Sequence, residues 1–266
     1  MLQQANKKIL SLLVTFCTLF FLSGCSNPFV SNKNNNETTV SSSVKTAVGK
    51  PSYKEKIIEE NSTKDYYNIE IKYPEFYNLK NSSAVNSKIK NLLENKRKSF
   101  VKEVLDWNND SDWKKNLPID ESNSSSYMEV DYKVYNASEN FISIDFDAQM
   151  YMSASAHPFF AHLVVNLNLE TLADYSLDDI FNAKSDYVKA LESLTKSNLK
   201  ERGLVVFEDS NFSKDLFKKF VVSKDSYFIV FDDSEITAHA AGNVTIEIPW
   251  SKISKFLNPN FKISNL

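Results

Sequence analysis

Phe141-Ile142-Ser143-Ile144-Asp145-Phe146-Asp147-Ala148-Gln149-Met150 alternates apolar and polar residues with a period of two. Successive side chains of a strand point to opposite faces, so Ile142, Ile144, Phe146, Ala148 and Met150 share one face. Ser143, Asp145, Asp147 and Gln149 share the other, and the strand is expected to reach about Met152. Upstream, Met128 to Val134 alternates in the same way, and the short link Asn136 to Asn140 makes the two strands antiparallel neighbours. Downstream, Ala161 to Leu169 puts Ala161, Leu163, Val165, Leu167 and Leu169 on one face and His162, Val164, Asn166 and Asn168 on the other. The leucine face is the expected core face. Asp145 and Asp147 then read as ordinary acids on the wet face of an antiparallel sheet, with no catalytic part.

The elements on either side follow from the same rules. Tyr67 to Tyr73 alternates as a half-buried strand, which Pro74 is expected to end. Val85, Ile89, Leu92, Leu93, Phe100, Val104 and Leu105 recur at helical spacing and predict an amphipathic helix of about six turns. A polar loop with Trp107, Trp113 and Ser122 to Ser126 follows. Ser176 reads as the N-cap of a short helix, Leu177 to Phe181, with Asp178 and Asp179 at its dipole-positive start. A longer helix is expected from Ser185 to Arg202, stopped by Gly203, and a third helical patch from Phe212 to Phe220. Strands Tyr227 to Phe231 and Val244 to Ile248 precede Pro249, which opens a last short helix. The fold class is therefore α+β, an antiparallel sheet with helices packed on it, preceded by a signal peptide and a flexible linker.

Lys7 and Lys8 stand before an apolar run, Ile9 to Leu22, of about 14 residues. That is short of the roughly 18 to 20 residues that cross a bilayer, so cleavage is expected. The end of the run, Leu22-Ser23-Gly24-Cys25, resembles the bacterial lipobox, which implies acylation of Cys25 and a chain held on the outer face of the cell membrane. Two or three acyl chains make such an anchor durable. The other cysteine, Cys17, lies inside the run, so no disulfide is expected in the mature chain. Ser26 to about Lys50 is mostly Ser, Asn, Thr, Lys and Val, the composition of a tether. The expected division is residues 1–24 signal peptide, 25–50 tether, 51–150 the N-terminal half of a module and 151–266 its C-terminal half.

A hydrophobic share of 42% against 24% charged residues is enough for a core and for solubility. The 31 basic and 34 acidic side chains give −3, which becomes −5 once Lys7 and Lys8 leave with the signal. Nucleic acid is not the expected partner of so acidic a chain.

Ala156-His157-Pro158, then Asn166-Leu167-Asn168-Leu169-Glu170-Thr171, then Leu177-Asp178-Asp179-Ile180-Phe181, occur in an order that resembles one extracytoplasmic module. RsiV-type anti-sigma factors and PdaC-type peptidoglycan deacetylases share it. Asp233 to Gly242 and Ile246-Glu247-Ile248-Pro249-Trp250 resemble its closing signature, and the similarity runs from about Tyr53 to Leu257. Two departures stand out: the family usually has glycines before Ala-His-Pro where this chain has Ser153-Ala154-Ser155, and Pro-Tyr where it has Asp233-Ser234.

In the RsiV group the module senses lysozyme, and in the deacetylases it accompanies a domain acting on cell wall. Only about eight residues precede the apolar run, and Leu266 follows the module closely, so neither the anti-sigma nor the deacetylase role is expected. The resemblance therefore implies a non-catalytic surface module that binds lysozyme or peptidoglycan fragments, without metal or other cofactor.

The candidate ligand contacts are His157, Pro158, His239, Tyr151, Trp107 and Trp113, with Tyr66 a further aromatic to test. The alternative is a metal-dependent cell-wall enzyme using His157, His162 and His239, since neutral imidazoles bind zinc. Spacing opposes it: His157 and His162 lie five apart across a loop and strand start, and no His-Glu-x-x-His or Cys-x-x-Cys occurs. No Gly-x-Ser-x-Gly elbow is present, and four glycines leave no phosphate loop. An immunity-type lipoprotein that captures a hydrolase shares the binding expectation.

Overall fold

The computed structural model describes residues 39–43, 53–109 and 125–266. Cys25, the apolar run, most of the expected tether and Trp113 lie outside the described residues. Among the described residues, no helix is long and apolar enough to cross a membrane.

Six strands form the larger sheet in chain order: β1 (Thr39–Ser43), β2 (Lys54–Lys64), β3 (Tyr67–Tyr77), β4 (Ser126–Ala137), β5 (Phe141–Tyr151) and β6 (Phe159–Asn168). Every neighbouring pair is antiparallel except β3 and β4, which run parallel. A parallel pair needs a long crossover, and the 28-residue helix α1 (Ser82–Asn109) supplies it. Its buried stripe, Val85, Ile89, Leu93, Phe100 and Val104, joins Ile69, Ile71, Met128, Val130, Ile144 and Phe146 of the sheet in one core.

β1 and β2 were not legible as strands. β1 falls inside the stretch read as a tether, and β2 carries Glu, Lys and Asn on either side of its two adjacent buried isoleucines, Ile57 and Ile58. Pro74 does not end β3, which continues to Tyr77. β4 leaves β3 after Ile71↔Val130, so Pro74 sits where β3 has a partner on one side only, an edge position that proline tolerates. Trp107 belongs to the last turn of α1 rather than to a loop.

A second layer follows β6. α2 (Leu177–Ile180) starts at Ser176, whose backbone and hydroxyl both donate to Asp179. α3 (Tyr187–Glu201) ends before Gly203, whose φ of 71° is the left-handed turn that glycine allows. The expected helical patch at Phe212 is instead a 3-10 turn, Lys214–Phe217, leading into a strand. That strand, β7 (Phe220–Val222), pairs with β8 (Ser226–Phe231), and β8 with β9 (Val244–Pro249), all antiparallel. α4 (Trp250–Ile253) closes the layer. Its core is aromatic, with Phe181, Phe217, Phe220, Tyr227 and Phe231 buried, and Phe141 of β5 belongs to it.

β7 packs across β4, β5 and β6, so the second layer covers part of the sheet face that α1 leaves free. Ser143 and Asn166, both buried, join the layers: Val222 N–H donates to Ser143 Oγ (2.9 Å), Ser143 Oγ to Asn166 Oδ1 (2.7 Å), and Asn166 Nδ2 to the Phe220 carbonyl (2.6 Å). Buried polar groups must be paired, and these satisfy one another across the layer boundary. The face expected to be wet is therefore half interior.

Candidate functional site

Asp145 is the clearest correction to the sequence reading. It is buried, 6% exposed, under the second layer, and both its carboxylate oxygens face Nδ1 of His162, at 3.0 and 2.9 Å. His162 is itself 4% exposed. A carboxylate only accepts, so Nδ1 carries the proton. The backbone N–H of His162 donates to Asp232 Oδ1 (2.8 Å), and Asp232 also pairs with Lys219. β6 is the last strand of its sheet, and the turn after β8 seals its open edge: Asp233 N–H donates to the Phe160 carbonyl at 3.0 Å. Asn243 Nδ2 donates to Asp147 Oδ1 (2.7 Å), closing the same seam from β9's side.

His157 and His239, the other two histidines, meet beside this seam. Their rings stack at 3.7 Å between centroids and 20° between planes. Nδ1 of His239 lies 2.6 Å from Asp233 Oδ2, and Nδ1 of His157 lies 3.1 Å from the carbonyl of Pro158, its own neighbour. Stacked rings present their nitrogens side by side rather than converging on one point, and His162 has turned Nδ1 into Asp145. Among the described residues, no group of three or more His, Cys, Asp or Glu side chains is arranged to hold a metal ion.

The aromatic candidates divide. Trp107 donates Nε1–H to the Ser153 carbonyl (3.0 Å) and so pins the β5–β6 loop that carries His157 and Pro158. Tyr151 stacks on Tyr127 at 5.4 Å across β4 and β5. Tyr66 stands apart in the β2–β3 turn, half exposed. In the loop pinned by Trp107, Ala154 has φ of 66°. That left-handed conformation suits glycine, and holding it with alanine leaves this chain with local strain of roughly 1 kcal/mol. Sequence placed Asp145 on a wet face and did not single out Asp232 or Lys219, though the polar face of β6, carrying Asn166 and Val164 together, hinted that it is not simply wet.

Electrostatics follow from this crowding. Burial is the largest single influence on His162 and disfavours its charge, but Asp145, Asp147 and Asp232 together outweigh it and raise its pKa above the ordinary 6.5. Loss of solvation raises Asp147, helped by Asp145 and Asp131 and opposed by His162 and the Asn243 bond. Both shifts have the same sign, but Asp147 acts in the acidic range above its ordinary 3.8 and only His162 acts near neutrality. A group whose folded pKa is raised contributes stability that is complete below its unfolded pKa and is lost as pH rises through its folded pKa. The folded chain is therefore expected to lose stability as pH rises above about 6.5, where unfolded histidine gives up its proton. Urea midpoints at about pH 5.5, 7 and 8.5 should fall in that order, and His162→Phe should flatten the trend.

A mixed six-stranded sheet, a crossover helix on one face and a three-stranded layer sealed to the other make up the described fold, and two family models each match part of it. Residues 60–159 match the family described as Deacetylase PdaC, and residues 178–251 the family described as Protein of unknown function (DUF3298). The chain is similar to peptidoglycan-N-acetylmuramic acid deacetylase PdaC of Bacillus subtilis strain 168, at 25% identity over 201 residues. The match covers 73% of this chain but 40% of that relative's length. A DUF3298 family member from Bacteroides fragilis NCTC 9343 shares the fold with a TM-score of 0.58 and 18% identity, over 80% of this chain and 97% of its own. A second, from Pseudomonas aeruginosa PAO1, gives 0.51 and 14%, over 84% and 94%.

Proposed function

We propose that this chain is a non-catalytic binding module of the cell envelope, anchored through Cys25, that engages peptidoglycan fragments. The observation that carries the reading is the 201-residue match to a protein whose name sets it to work on peptidoglycan. The histidines support it, since His162 and His239 are each tied to an aspartate that fastens the fold.

A second reading, capture of lysozyme, has its own support. On the sheet face beside the second layer, Glu70 lies opposite Glu129, and Asp131 opposite Asp147, around a depression of about 190 Å3 that also holds Lys72. Like charges directly opposite each other destabilise a sheet, and a small basic protein such as a c-type lysozyme would relieve them.

Incubating the full chain, purified in detergent, with insoluble peptidoglycan separates binding from turnover. The chain is expected to sediment with the polymer while releasing no soluble fragments and removing no acetyl groups. Release of either product would overturn the non-catalytic reading, and a chain that stays in the supernatant would overturn the glycan reading. A supernatant chain that instead forms a complex with lysozyme would establish the second reading.

A further inference from the structure

A groove of about 520 Å3 lies between the turn after β6, the tip of the β4–β5 hairpin and the C-terminal segment from Asn258. It is rich in acids, yet each is already engaged. Glu170 pairs with Lys80 at 3.3 Å, Asp174 with Lys88 at 2.6 Å, and Asp179 accepts the Ser176 backbone and hydroxyl at 2.7 and 2.6 Å. Lys262 turns its Nζ to the Pro259 carbonyl.

What the groove has to spare is neutral. The exposed side-chain amides of Asn140 and Asn260 make no bond to another described residue. Asn168 uses Oδ1 to accept the backbone N–H groups of Glu170 and Thr171, which leaves the Nδ2 donors. Two aromatic rings complete the lining, Tyr175 and Phe261, with centroids 6.4 Å apart and planes at 75°. Phe141 backs Tyr175 at 4.8 Å and Trp250 backs Phe261 at 5.6 Å, so both rings are held by the core of the second layer.

The walls are fixed as well. The turn closes through Leu172 N–H to the Asn168 carbonyl, Asn168 N–H to Ala173 and Tyr175 N–H to Asn166. Asn258 N–H donates to Ile180 and its Nδ2 to Asp178.

Uncommitted amides offer paired donors and acceptors, and aromatic faces accept a flat C–H surface. A pyranose presents both, hydroxyls around its rim and C–H groups on its face, and an N-acetyl group adds an amide that matches asparagine. The volume falls in the range of small-molecule pockets, roughly 300–1,000 Å3, and accommodates about two sugar rings. We propose that this groove is a saccharide site for a neutral, N-acetylated oligosaccharide. The proposal rests on the glycan reading above and places the sugar here rather than at the histidines.

The test is titration of the full chain in detergent with two probes, the neutral trimer of N-acetylglucosamine and a disaccharide-peptide muropeptide. Two variants change exposed groove positions, Asn140→Ala with Asn260→Ala, and Ala173→Trp, which fills the space. Both should melt with the wild type, and both should weaken trimer binding about tenfold or more, the loss of one to two hydrogen bonds or of the ring's place. Binding that persists unchanged in both variants would overturn the groove while leaving the glycan reading intact. No binding of either probe by the wild type would overturn both.

Discussion

Asp145→Ala should lower the free energy of unfolding by about 3–5 kcal/mol, the cost of breaking a buried charge pair by removing one partner. Asp145 and His162 are each less than a tenth exposed, and their contact is made twice over, at 2.9 and 3.0 Å. Alanine leaves the imidazole nitrogen without its acceptor in a site that water does not reach. It also opens the seam, because His162 is fastened through its backbone to Asp232 and through that residue to Lys219. Urea unfolding should show a lower midpoint at unchanged slope. The paired change Asp145→Leu with His162→Leu should recover most of the loss, since an apolar pair of similar volume is often neutral or better than a buried ion pair. A loss below about 1 kcal/mol for Asp145→Ala, the level of an exposed pair, would show that the seam is open to solvent.

Phe100→Ala should cost about 3–5 kcal/mol through lost burial and the cavity left behind. Phe100 is 1% exposed and belongs to the stripe by which α1 covers the sheet. α1 lies in the crossover from β3 to β4, so its packing bears on whether the parallel pair closes. Leu105→Ala, five residues on in the same helix but 43% exposed, should fall within about 0.5 kcal/mol of wild type. Equal effects at the two positions would mean that α1 is not seated as described.

Elements whose side chains face one core were legible from periodicity. β5, β6, α1 and α3 carry clean two-residue or helical spacing, and the structure places them within a few residues of the expected bounds. β2 carried no such signal because it is held by backbone pairing on both sides and buries only Ile57 and Ile58. The stretch from Phe212 misled because Phe212, Leu216, Phe217 and Phe220 repeat at three to four residues, while the chain there makes a single 3-10 turn and then a strand.

The candidate site was legible only in its parts. Alternation in β5 shows that Asp145 and Asp147 share a face, but not that a second layer formed by residues far along the chain covers one and leaves the other at its margin. The stacking of His157 on His239 has the same origin, since it depends on how the turn after β8 docks on β6. The motifs named the two segments correctly as parts of one module, and only the three-dimensional arrangement shows that they meet.

Calorimetric titration of the full chain with soluble, purified muropeptides tests the binding reading most directly. Saturable heat with a Kd of about micromolar or tighter is expected, a free energy near −8 kcal/mol. No heat at ligand concentrations up to about millimolar would contradict it.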